Sequence, residues 1–187
     1  QLPPLPGASL EAEQVARLYG RSQRLTGAEA SRDRVVELLP KYGVFHFAGH
    51  AVANGDQPEL SYLALASQHA DEAGTLRAAE IGRLRLSNLQ IVVLSACSTL
   101  NPRRSRMGAI AGLAYSFLRA GAPATVSTLW DVDDAVTTEL LVSFHNRFAG
   151  GTPAAEALRL AQQDALRSQR PELRSPKAWG AFVYTGP

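Results

Sequence analysis

The stretch LQIVVLSACST, residues 89–99, constrains the fold more than any other part of the chain. A short apolar run such as LQIVVL reads as a buried β-strand, and buried strands belong to sheets covered by helices. The run gives way to Ser95, Ala96, Cys97, Ser98 and Thr99, so the only cysteine of the chain arrives at the end of the strand. Reactive groups collect at the carboxyl ends of strands in open α/β sheets, because the strand fixes the backbone while the following loop exposes the side chain. A second strand, residues 44–47 of VFHFAGHA, is expected to break at Ala48-Gly49 and to present His50.

Around these two segments the chain alternates between helical and extended patterns. Ser9 caps a helix over residues 10–19, read as a surface helix, with Glu11 and Glu13 in its first turn. Leu25 and Thr26 are read as a short strand before a helix over residues 31–39 that Pro40 ends. Residues 60–66 read as a strand and residues 75–84 as a short helix. Ile110, Leu113, Ala114, Phe117 and Leu118 recur at helical spacing and face a core. Gly121 and Pro123 close that helix and residues 124–129 form a strand, which makes a parallel βαβ unit with the Cys97 strand. Asp133 or Asp134 caps a helix reaching Phe148, Gly150-Gly151 stops it, and Thr152 caps another, reaching about Ser168, with Pro153 at the first helical position. WGAFVY, residues 179–184, reads as the last strand. The expected architecture is a three-layer α/β/α sandwich around a mostly parallel sheet, with one domain over residues 8–187 and residues 1–7 as a linker from something upstream.

Composition removes several classes of function. The net charge is +2 with both signs mixed along the chain, so there is no broad basic face and no expectation of nucleic acid as a direct partner. No apolar run approaches the roughly 18 residues of a membrane span. A single cysteine makes no internal disulfide and no signal-peptide pattern opens the chain, which together suggest the cytoplasm. GxGxxG, GxxxxGK[ST] and GxSxG patterns are all missing, which argues against nucleotide binding and serine hydrolysis. His46 and His50 have HxxxH spacing, but that spacing gathers two ligands only on a helix, so no metal or other cofactor is expected and His46 is read as a supporting residue.

Nucleophilic use of Cys97 requires thiolate character and a base within reach, and His50 at the neighbouring strand end supplies one. Four segments, HFAGHA at 46–51, LSACST at 94–99, FLRAGAPATVSTLWDVDD at 117–134 and WGAFVYTG at 179–186, carry a family resemblance. The chain resembles the CHAT domain, a caspase-like cysteine peptidase module of the clan of separases, metacaspases and gingipains. The separation of His50 and Cys97 by 47 positions is close to the roughly 50 between histidine and cysteine in caspases. The resemblance implies a caspase-like fold, a His50–Cys97 dyad, an oxyanion hole from the backbone N–H groups of Cys97 and Ala51, a protein or peptide substrate, and an upstream TPR-like or other sensor domain. Related chains often carry glycine after the histidine where this one has Ala51, so a backbone conformation with positive φ would be strained there. The family pattern also usually begins with a strand before the first helix, and QLPPLPG is not one, so a sheet edge or partner surface is expected to lie open.

Asp131, Asp133 and Asp134 fall at a strand end on the same rim as Cys97, where a carboxylate can receive an Arg or Lys side chain at P1; helix capping competes for at least one of them. Arg103, Arg104 and Arg106 have three readings: a positive field favouring the thiolate, a loop cut by the enzyme itself, or an ordinary solvated loop. The alternative to a peptidase is a non-catalytic CHAT-like module that holds a peptide or protein on the same rim. A redox-sensing thiol ranks last, since the chain has no second cysteine to resolve it.

Overall fold

The computed structural model describes residues 5–67, 74–98, 108–130 and 132–187, with the backbone alone at positions 6, 97, 98 and 108–111. Six strands form one sheet: β1 Val44–Val52, β2 Tyr62–Ala64, β3 Thr75–Arg77, β4 Ile91–Ser98, β5 Thr125–Thr128 and β6 Phe182–Thr185, in the order β3-β2-β1-β4-β5-β6. The middle of the sheet is parallel, β1 with β4 and β4 with β5, and antiparallel strands extend it on both sides. Helices α1 Pro6–Ala16, α5 Asp134–Ala149 and α6 Ala154–Arg167 cover one face, with the single turns α7 Pro171–Arg174 and α8 Pro176–Trp179 beside them. Helices α2 Arg32–Leu38, α3 Ala78–Ile81 and α4 Gly108–Arg119 cover the other. This is the expected three-layer α/β/α sandwich, with a mixed sheet that is parallel at its centre and antiparallel on both sides.

The alternation of β4 shows why both layers form. Val92, Leu94 and Ala96 join Leu113 and Phe117 of α4 in one core, whereas Ile91 and Val93 join Val126, Leu141 and Phe144 in the other. Each large side chain fully buried in this way is worth about 1.5–3 kcal/mol. The βαβ unit over β4, α4 and β5 is present with its parallel pairing. Gly121 and Gly151 take positive φ at helix ends, where residues with a Cβ are disfavoured.

Several elements differ from the sequence reading. The first helix starts at Pro6, not residue 10, because proline at a first helical position gives up no hydrogen bond; part of the expected linker is therefore helix. Leu25 and Thr26 form no strand; Thr26 instead leads into a 3₁₀ turn. Residues 75–77 pair with β2 as a strand and only then turn into α3, where Arg77 N–H donates to Glu80 Oε2 at 3.0 Å. Pro153, not Thr152, occupies the cap position of α6. Both strands of the site also run on past the expected ends. β1 continues through Ala48, Gly49 and His50 to Val52, and β4 continues through Cys97 to Ser98. Gly49 is not a turn residue: a Cβ there would come within 2.8 Å of the Phe47 ring, so the glycine makes room for an aromatic on the same face. Among the described residues no helix is long and apolar enough to cross a membrane.

Candidate functional site

Parallel pairing sets β1 and β4 side by side from Val44 opposite Ile91 to Ala51 opposite Ser98, and within this ladder His50 lies opposite Cys97. Neighbouring strands are about 4.8 Å apart, so the backbones of the two residues are direct neighbours at the carboxyl ends of the central strands. The topology thus brings together two positions that are far apart in sequence. Ala51 follows in β1, 1% exposed, between Leu63 of β2 and Ser98 of β4. Its backbone needs no positive φ, since among the described residues only glycines adopt one. The change from glycine to alanine therefore carries no backbone strain in this conformation.

The end of β4 is anchored next to the cysteine. Ladder pairing between β4 and β5 stops at Leu94 and Ser127, and beyond it the buried Thr128 hydroxyl donates to the Ala96 carbonyl at 3.2 Å. A small space of about 20 Å³ opens here, lined by Gly49, Ser95, Ala96, Thr128 and Asp134 and roofed by Leu5 and Ala8 from the start of α1. Two of the three candidate aspartates separate clearly. Asp133 caps α5, its carboxylate accepting from Ala135 N–H at 3.0 Å and Val136 N–H at 3.4 Å. Asp134 is half-buried and abuts Gly7, where a Cβ would lie 2.4 Å from the Cβ of Asp134 and 2.6 Å from its Oδ2. Asp131 lies outside the described residues, as do Arg103, Arg104 and Arg106.

Behind this rim runs a buried polar chain that the sequence reading missed. Tyr19 Oη lies 2.7 Å from His145 Nδ1, and the other ring nitrogen of His145 lies 3.0 Å from His46 Nδ1. His46 Nε2 then stands 2.9 Å from Glu11 Oε1, at ion-pair distance but without hydrogen-bond alignment, and neither atom has a hydrogen-bonding partner elsewhere. Thr138 Oγ1 donates to the second Glu11 oxygen at 3.5 Å. Burial pushes the Tyr19 hydroxyl up to about 12, so it stays a donor. Burial, and then the neighbouring His46, hold His145 well below the usual histidine range. A single tautomer assignment satisfies both hydrogen bonds of His145: Tyr19 donates to neutral His145 and His145 Nε2–H donates to His46, which leaves His46 Nε2–H facing the carboxylate. His46 is thus a supporting residue, as read, but Glu11 is not on the surface; it is 2% exposed. Its spacing of four from Val15, and that of His145 from Leu141, are the signals that place both on buried helix faces.

A family model described as CHAT domain matches residues 1–187. The chain is 27% identical to mouse (Mus musculus) tetratricopeptide repeat protein 28 and 26% identical to its human (Homo sapiens) counterpart, in each case over 98% of this chain. It spans 9% and 8% of the length of these curated relatives.

Proposed function

The chain belongs to the CHAT domain family, and from that premise we propose that it is a cysteine endopeptidase in which Cys97 and His50 form the catalytic dyad. The observation that supports this reading most is the register that sets His50 opposite Cys97 at the carboxyl ends of two adjacent parallel strands. In this mechanism His50 takes the proton of Cys97 Sγ, and the thiolate adds to the scissile carbonyl carbon. Backbone N–H groups of Cys97 and Ala51 hold the oxyanion, donors of a kind worth about 10²–10³ in rate. The tetrahedral species collapses with cleavage of the C–N bond, and His50 returns the proton to the departing amine. Water, deprotonated by His50, then hydrolyses the thioester and restores the thiol.

Asp134 is the carboxylate in this reading that receives a basic P1 side chain, because it borders the space beside Gly49, Ser95 and Ala96 while Asp133 is occupied as a cap. An arginine side chain is far larger than about 20 Å³, so its entry requires the first turn of α1 to move aside. A TPR-like sensor in the same polypeptide, in keeping with the names of the relatives, is the element we assign to control that movement.

Cleavage of a fluorogenic peptide library, together with labelling by electrophilic peptides carrying Arg or norleucine at P1, tests the assignment. Cys97→Ala and His50→Ala are each expected to lower cleavage by at least about 10³-fold, and Arg peptides to label faster than norleucine ones. Full cleavage by either variant would falsify the dyad. Exclusive labelling by apolar P1 peptides removes Asp134 from the specificity pocket. Binding of peptides with no labelling of Cys97 replaces the peptidase with a binding module.

A further inference from the structure

We propose that the surface formed by Tyr115 and Arg119 of α4, with Arg83 and Arg85 of the turn after α3, docks an acidic segment of a protein partner that carries an aromatic or aliphatic residue among its carboxylates. The turn is tied to the end of α4: Arg119 Nε donates to the Gly82 carbonyl at 3.3 Å, and Leu86 N–H donates to the Ala120 carbonyl at 2.8 Å. Between these two bonds the side chains alternate. Leu84 packs against the core and Leu86 is fully buried, whereas Arg83 and Arg85 are exposed. Tyr115 stands one helical turn before Arg119 on the same face of α4. At 66% exposed, it is the most exposed large hydrophobic residue among those described.

Charge decides what this surface takes. Among the described residues Arg83, Arg85 and Arg119 form no ion pair, unlike Arg32, Arg34, Arg147 and Arg159, each of which has a carboxylate partner. Glu80, the acidic residue that precedes them in the same stretch, is turned to the Arg32 guanidinium at 2.5 and 3.1 Å and to the Arg77 N–H at 3.0 Å. Like charges on adjoining turns repel, and carboxylates brought by a partner relieve that repulsion. Each guanidinium can take a carboxylate through two parallel hydrogen bonds, and tyrosine and arginine are the side chains that most often carry interface energy. The surface lies at the amino ends of the central strands, since the turn leads into β4 and the end of α4 leads into β5. Ile91 and Cys97 stand six residues apart in β4, roughly 20 Å at about 3.3 Å per residue, so a partner held here leaves the opposite rim clear. Docking at this surface requires no chemistry at Cys97.

Titration of the 187-residue chain with acetyl-Glu-Asp-Leu-Glu-Trp-Asp-Glu-amide, followed by amide chemical shifts at low salt, tests this. Shifts are expected at residues 82–86 and 115–121, and binding is expected to weaken as salt is raised. A peptide with Gln and Asn in place of its acids is expected to bind at least about 10-fold more weakly. Exchange of Arg83 and Arg85 for Glu, both exposed, is expected to weaken binding by at least about 10-fold, and Tyr115→Ala by about threefold, each without lowering the melting temperature. Arg119 is kept in these variants, because its bond to Gly82 holds the turn. Absence of shifts in this region, equal binding of the neutral peptide, or full binding by the Arg83→Glu/Arg85→Glu variant overturns the proposal. Tighter binding of an oligodeoxythymidylate of equal charge also overturns it, since that outcome assigns the surface to nucleic acid.

Discussion

His145 shows how far a single residue departs from what its helix suggests. It is fully buried, and its imidazole is tolerated there because Tyr19 and His46 occupy both ring nitrogens. Its folded pKa lies below the unfolded value of about 6.5, so in acid the unfolded chain takes up the proton first. The stability it contributes is complete above about pH 6.5 and is lost as the pH falls towards the depressed folded value. Tyr19, His46 and Glu11 are the other ionisable groups along this chain, and all three remain in a His145→Phe variant. That variant leaves Tyr19 and His46 each short of a partner, with an expected loss of about 1–3 kcal/mol at pH 7.5. Its stability should fall less steeply than that of the wild type between pH 6.5 and 5. Denaturant titrations across that range check both effects, and parallel slopes would mean that His145 does not supply the acid sensitivity.

At the scale of the element, α1 is where local rules and tertiary contacts diverge most. Gly7 lies inside this helix, where alanine is normally favoured by about 1 kcal/mol. The Asp134 side chain occupies the space a Cβ would need, and the blocking atoms include its own Cβ, which cannot swing away. Gly7→Ala is therefore expected to destabilise the fold, by about 1–3 kcal/mol of overpacking less the helix gain, as read from chemical denaturation; a stabilised variant would show that α1 shifts freely on α5. Composition hid this contact, because a Pro- and Gly-rich opening reads as a linker until α5 is packed against it. The short β3 was hidden for a related reason: Thr75, Leu76 and Arg77 take strand geometry only because β2 lies alongside. Longer elements with strong periodicity, α4 and β4 above all, were legible at once, since their faces are apolar enough to fix their own burial.

Across the whole molecule the sheet is tight at β4, whereas among the described residues no backbone hydrogen bond reaches residues 44–49 on the outer side of β1. Amides at Ile91, Val92, Val93 and Leu94 should exchange only on global unfolding, whereas every second amide of residues 44–49 should exchange far sooner in the isolated chain, by at least about 100-fold. Native-state hydrogen exchange resolves the two sets, and uniform protection along β1 would show the edge to be already covered. The sequence by itself determined the class of fold, the parallel βαβ unit and the two strands that carry His50 and Cys97, because apolar runs and their breaks are local properties of a chain. Only the tertiary structure decided that these two residues stand in register, that Asp134 and not Asp133 borders the space beside them, and that Glu11 is buried against His46. Each of these depends on which strand lies beside which and on what a helix meets when it packs, and such pairings join residues whose separation along the chain carries no record of their distance in space.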